Sequence, residues 1–167
     1  MNSSISARIL TSFFARTASR KTDVTAHRKR RLQFWGRDPD DDRLLAQALD
    51  GRKTATAGLA RDWDIAEGDY DDGGYVVGDL VEVYDRRGRC RCEIRITEVY
   101  ETTFGAIPER LWAGECCVSA EDFRSGHREC WAAEKLSDVT RIVGCHFELV
   151  SVANELEPPS QSASCPP

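Results

Sequence analysis

The chain has no apolar run near the roughly 20 residues that a membrane-crossing helix needs, so its 167 residues are expected to form a soluble protein. Nor is there a CxxC pair among its seven cysteines: Cys90-Arg91-Cys92 is too tight for a metal knuckle, and Cys116 and Cys117 are adjacent. Structural zinc needs thiolates spaced so that a turn folds back on the ion, and neither a metal site nor a cofactor is expected. The acidic stretch from Gly68 to Gly74 has D-x-D-x-x-G character but lacks the Glu that closes a calcium loop, so it is read as a solvated surface loop. Gly51-Arg52-Lys53-Thr54 lacks the glycine-led spacing that precedes the Lys of a Walker phosphate loop. No secretory signal is recognised, so a reducing, cytoplasmic setting is expected, with several cysteines acting as buried small hydrophobes. Cys165, in a Pro/Ser-rich end, is expected to be exposed.

Acidic residues outnumber basic ones, but unevenly. Residues 1–31 carry eight Lys or Arg and one acid, Asp23, a balance of +7, while the remainder carries fifteen basic and twenty-seven acidic residues, a balance of −12. Phosphate affinity comes largely from clustered Lys and Arg. The acidic body therefore argues against a broad duplex-binding face, while leaving room for a small positive pocket. In the basic segment Arg8, Arg16 and Arg20 alternate with Ile9, Leu10, Phe13 and Phe14. That composition suits organelle targeting by residues 1–31; an unstructured extension and a nucleic-acid tether through Arg28 to Arg31 are the other readings. His27 belongs to this segment.

The length fits one domain, placed at 32–152 between the basic extension 1–31 and a disordered tail 153–167. A helix is predicted after Asp38-Pro39, with an apolar stripe of Leu44, Leu45, Ala48 and Leu49 and Gly51 closing it in the left-handed region. Lys53 to Thr56 reads as extended, with Thr54 and Thr56 on one face and Lys53 on the other; a bend could still gather Lys53 and Thr56 into one pocket. Tyr75-Val76-Val77 and Leu80 to Tyr84 read as strands. Cys90 to Ile96 alternates small and apolar residues with Arg91, Glu93 and Arg95. Ile107 to Trp112 reads as a short helix, and Ser119 as the cap of a helix carrying Phe123, His127 and Trp131. Ile142 to Val150 reads as the last strand, with His146 partly exposed. These elements predict an α+β fold, a small mixed β-barrel with two or three covering helices.

Several segments, in order, carry a family resemblance: Phe34-Trp35-Gly36; Gly51-Arg52-Lys53-Thr54-Ala55-Thr56; Gly78-Asp79 ahead of the strand Leu80 to Tyr84; Ile96-Thr97-Glu98-Val99; Glu115; Phe123 and His127 ahead of Trp131; and Cys145 to Val150. From Phe34 to Val150 the chain resembles the ASCH (activating signal cointegrator homology) domain family of the PUA-like superfold. The resemblance implies RNA or modified-base binding in a cleft between barrel and helices. Some small relatives hydrolyse the acetyl amide of N4-acetylcytidine and others are reported as ribonucleases. By the same resemblance Lys53, Thr56 and Glu115 are the candidate catalytic residues, although Gly114-Glu115-Cys116-Cys117 stands where bacterial relatives usually have a more acidic, glycine-containing stretch.

The residue types suit that chemistry. A threonine hydroxyl needs an adjacent base to become a nucleophile. A lysine amine serves as that base when desolvated, and otherwise steadies a carbonyl oxygen or phosphate. A glutamate can carry the proton to a departing amine or activate a water. Arg52, Thr54, Trp35, Tyr70 and His127 are candidate ligand-binding residues, with His127 structural, pocket-lining or catalytic. Arg52, Arg61 and Arg110 are candidates to lead RNA from the cleft. Besides a purely structural or protein-binding role, three functions follow: an amidohydrolase acting on N4-acylated cytidine, a non-catalytic RNA- or modified-base-binding module, and a single-strand ribonuclease. Each implies a nucleoside or single-stranded RNA as partner and no membrane, for a monomer or weak homodimer.

Overall fold

A computed structural model describes residues 30–63, 66–67, 70–71 and 73–153. The expectations for the basic extension up to residue 29, His27 included, and for residues 154–167, Cys165 included, lie outside the described residues. In chain order the elements are strand β1 (Arg30–Gln33), helix α1 (Arg43–Leu49), strand β2 (Ala55–Leu59), a 3-10 turn (Ala60–Asp62), the short strands β3 (Ala66–Glu67) and β4 (Tyr70–Asp71), strands β5 (Leu80–Tyr84) and β6 (Cys90–Thr103), helices α2 (Glu109–Gly114) and α3 (Ala120–Cys130), and strand β7 (Arg141–Val152).

Five strands form one sheet in the order β1-β5-β6-β7-β2, and β3 pairs separately with β4. Only β1 and β5 run parallel; the other pairs are antiparallel. The sheet curls into a half-barrel accompanied by three helices, the α+β architecture expected from the sequence. Its edges are β1 and β2.

Period-two alternation builds the interior. Cys92, Ile94 and Ile96 of β6 are almost fully buried, while Arg95 between them is exposed. They join Phe34, Leu45, Ala48, Val81, Val83, Cys145 and Phe147 in one core. The β6–β7 register shifts between Glu93 and Ile94 and again between Ile96 and Glu98. Such bulges bend a strand and sharpen its twist, which helps a 14-residue strand follow the curl. A second core, of Ala55, Leu59, Phe104, Ile107, Leu111, Phe123 and Ile142, lies beneath α2 and α3.

Three local expectations are corrected. Tyr75-Val76-Val77 is not a strand: β5, which follows, already has β1 on one edge and β6 on the other. Tyr75 is buried while Val76 and Val77 are exposed, and Gly78 turns the chain at φ +97°. Asp71, read as part of a solvated loop, is buried in β4, where it accepts the Arg31 backbone N–H at 2.8 Å and pairs with Arg30 Nε at 3.2 Å. Arg30 and Arg31, two residues upstream of the expected start of the body, form the beginning of β1. Their guanidiniums donate to the Gly74 carbonyl at 3.1 Å and the Tyr84 hydroxyl at 2.9 Å. Among the described residues no helix is long and apolar enough to cross a membrane.

Candidate functional site

Helix α1 ends where Gly51 enters the left-handed region at φ +76°, a conformation glycine adopts without a Cβ penalty. The Arg52 and Lys53 amides both fold back to donate to the Gln47 carbonyl at 2.9 Å. The Lys53 backbone is thus tied to the helix end. Its side chain goes inward and is 1% exposed.

Opposite it, α2 ends on Glu115. The Cys116 amide donates to Ala113 and the Cys117 amide to Trp112, at 3.0 and 2.9 Å. This is the paired closure of a Schellman motif, with Cys116 at the left-handed position that glycine usually fills, at φ +61°. The helix end docks directly on the start of β2. The Thr54 amide donates to the Gly114 carbonyl at 2.7 Å. A Cβ on Gly114 would lie 2.8 Å from that of Ala55. Without a glycine there, the two segments could not approach as closely.

That approach sets Lys53 Nζ 3.2 Å from Glu115 Oε2, with side-chain exposures of 1% and 8%. The ammonium also sits 5.2 Å from the centroid of the Phe34 ring, a favourable cation–π distance. Glu115 Oε1 is buried and accepts no hydrogen bond among the described residues. His127 Nε2 stands 3.7 Å from it, within ion-pair but beyond hydrogen-bond reach. His127 Nδ1 lies 2.9 Å from the Phe123 carbonyl. A carbonyl only accepts, so Nδ1 carries a proton and Nε2 is the nitrogen free to exchange one. The ring stacks on Phe123 at 3.8 Å and tilts against Trp131 at 4.6 Å, which fixes its plane.

The cluster opens onto a cavity of about 730 Å³ lying between the sheet edges, with Leu32 and Gln33 of β1 on one side and Thr56 to Leu59 of β2 on the other. Lys53, Thr56, Glu115 and His127 share its wall with Trp35, Tyr70, Phe34 and Trp131. Arg37 and Glu129 also line it, joined through two hydrogen bonds of 2.7 and 2.8 Å that connect the segment after β1 to α3. Burial pushes the Cys117 thiol up to about 11, helped by the Glu115 carboxylate, so Cys117 offers this wall no ready thiolate at neutral pH.

The model of the ASCH domain matches residues 31–151. The chain belongs to the ASCH domain family. Its fold is similar to the crystal structure of an ASCH domain from Lactobacillus crispatus, at 20% identity and a TM-score of 0.60, covering 72% of this chain and 79% of that one. It is also similar to a protein from Enterococcus faecalis, at 18% identity and a TM-score of 0.61, covering 80% and 88%. At these identities the likeness is one of fold. No curated protein matches the sequence.

Within this ASCH domain the candidates from the sequence fall into two groups. Lys53, Thr56, Glu115, Trp35, Tyr70 and His127 all line the one cavity. Arg52 and Thr54 do not: both are exposed, and Arg52 binds Asp50 at 2.7 Å. Arg110 also stands elsewhere, over the Tyr100 ring at 4.2 Å and 2.8 Å from Glu98. The sequence reading did not single out Phe34 as the face behind Lys53, nor Arg37 with Glu129. Phe34 had a signal, as a large apolar residue beside Trp35; a surface Arg and Glu 92 residues apart had none. Among the described residues no group of three His, Cys, Asp or Glu could hold a metal ion.

Proposed function

We propose that this cavity is a hydrolytic site for an acyl amide on a nucleobase, of the kind carried by N4-acylated cytidine. The observation that carries the reading is the Lys53–Glu115 pair, buried at the wall of an open cavity and not inside a core. Removing two charges from water costs several kcal/mol per ion, and an apolar pair of similar volume is often at least as stable. Fold stability alone is therefore a poor reason to place the pair there.

Each group has a task in amide hydrolysis. Glu115 Oε1, buried and without a hydrogen-bond donor among the described residues, is the atom that takes a proton from the nucleophile, either the Thr56 hydroxyl or a water beside it. The nucleophile adds to the acyl carbon, and the Lys53 ammonium faces the oxyanion that develops. Glu115 then returns the proton to N4 as the C–N bond breaks, leaving cytidine and the carboxylate. When Thr56 attacks first, the acyl group passes through an ester that water cleaves. His127 Nε2, beside the same carboxylate, keeps that oxygen in a polar setting. Trp35 and Tyr70 give the base aromatic walls.

The test is incubation of the protein with N4-acetylcytidine, following cytidine by chromatography. Lys53→Ala and Glu115→Gln are each expected to lower turnover by about 100-fold or more. A quenched reaction that shows acetyl mass on Thr56 identifies the hydroxyl as nucleophile. Unchanged acetylcytidine with the wild-type protein sinks the reading. The His127–Glu115–Lys53 arrangement also supports a second reading, cleavage or retention of single-stranded RNA, in which the imidazole moves the proton and the ammonium faces the phosphate. RNA cleaved by the wild type but not by His127→Ala, with acetylcytidine untouched, selects it.

A further inference from the structure

The cavity does not end at α3. Two of its lining residues, Leu59 and Glu134, also line a second recess of about 340 Å³. The track follows the edge of β2: Thr56, Ala57, Gly58 and Leu59 line the first cavity, and Leu59, Ala60 and Arg61 line the second. At about 3.3 Å per strand residue, Thr56 to Leu59 covers about 10 Å, enough to separate a base from a phosphate further along the same strand.

The two recesses differ in chemistry. The first is aromatic and mixed in charge. The second brings Arg61, Lys135 and Arg141 together against one lining acid, Glu134, in a body whose balance is −12. Arg61 pairs with Glu134 and Arg141 with Glu101, and both guanidiniums are well exposed. Exposed ion pairs of this kind are screened by water and contribute little, so exchanging a carboxylate for a phosphate costs little. Lys135 is exposed and makes no ion pair among the described residues. Beside the cations, Val139 is 80% exposed and Leu136 is half-buried, giving an apolar surface that suits a sugar.

We propose that the second recess receives a backbone phosphate of the strand whose base occupies the first cavity, so that the ligand is a nucleotide within a single strand and not a free nucleoside. This rests on reading the first cavity as a base site. It does not require that the base be deacylated there.

The experiment measures anisotropy of a labelled, short, single-stranded oligoribonucleotide, with competition by acetylcytidine, its monophosphates and the unlabelled oligonucleotide. The wild type is compared with Lys135→Glu/Arg141→Glu, whose fold is checked by circular dichroism and melting. The oligonucleotide is expected to compete about tenfold better than the nucleoside on the wild type. The double variant should lose that advantage, with nucleoside competition moving less than about twofold. The slope of log affinity against log salt should fall by about 0.7, the share of one phosphate of a single strand. Equal competition by nucleoside and oligonucleotide on the wild type overturns the proposal, as does an advantage that survives the double substitution. A monophosphate that matches the oligonucleotide overturns the strand. Charge-dependent oligonucleotide binding without deacylation sinks the amidohydrolase reading and leaves this one standing.

Discussion

At the scale of single residues the Lys53–Glu115 pair makes a stability prediction that an activity assay does not. Removing one partner of a buried ion pair leaves the other uncompensated, at a cost of about 3–5 kcal/mol, whereas replacing both by apolar groups is often neutral or better. Lys53→Met alone is expected to lower the unfolding free energy by about 3 kcal/mol, measured by urea denaturation. Adding Glu115→Leu should restore most of that loss while leaving no hydrolysis. A double variant as unstable as the summed singles would mean that the pair holds the fold together and has no need of another role. Cys116 makes the opposite kind of prediction. An L-residue in the left-handed region costs about 1 kcal/mol or slightly more, so Cys116→Gly should stabilise the protein by about that amount and Cys116→Ala should not. The sequence made part of this visible. A Lys and two Thr beside a helix-ending glycine mark a polar cluster, and the family resemblance named its carboxylate. That Glu115 meets Lys53, and that Thr54 turns away, depends on how α2 seats on β2, and no local pattern encodes it.

Elements defined by their own chemistry were legible. Alternation in Cys90 to Ile96 became β6, Gly51 closed α1, and Ser119 caps α3 by accepting the Asp122 amide at 3.1 Å. Elements defined by distant partners were not: β1 is a strand because β5 lies beside it, and Asp71 is buried where the Arg30 side chain and the Arg31 amide reach it. Gly114 shows how far seating matters to the site. Gly114→Ala places a methyl 2.8 Å from the Ala55 Cβ, so α2 must move. A gain in helix propensity of up to about 1 kcal/mol offsets part of the strain, and net stability should change by no more than about 1 kcal/mol. Turnover should fall about tenfold or more, because Glu115 rides on that helix end and a misplacement near 1 Å is enough; unchanged turnover would break the link between seating and catalysis. Across the β6–β7 pair, His146 Nε2 lies 3.2 Å from the Tyr100 hydroxyl. Burial holds the His146 imidazole below its usual titration range, with Arg110 adding to the effect against Glu98 and Glu115. Its folded pKa is lower than its unfolded one, so the unfolded chain binds the proton more readily. The stability contributed by neutral His146 is complete above about pH 6.5 and is lost as pH falls through that range. His146→Gln should flatten the melting temperature between pH 7 and 5; an unchanged slope would remove His146 as its source.

For the whole molecule, the organising fact is a sheet that does not close. Its edges, β1 and β2, are two sides of the cavity, so the place that a full barrel would fill with strand pairing is left open. At the cavity wall, Arg37 from the segment after β1 and Glu129 from α3 form a two-bond clasp, with side chains 54% and 46% exposed. Exposed pairs are screened by water and add little, and even a difference of about 1 kcal/mol would move the melting temperature of a domain this size by only roughly 4 °C. The clasp should therefore matter little to folding. Its position bears instead on access: it ties the segment after β1 to α3 at the wall of the cavity. Arg37→Ala is expected to leave melting within about 4 °C of wild type while raising the dissociation rate of a bound nucleoside or oligonucleotide several-fold, read by stopped-flow fluorescence. Glu129→Gln should do the same, and the double variant no more than either alone, because the two side chains act through one contact. A large loss of melting temperature with unchanged dissociation would make the clasp a brace for the open sheet. The expected pattern makes it the means by which an incomplete barrel slows the escape of what it holds.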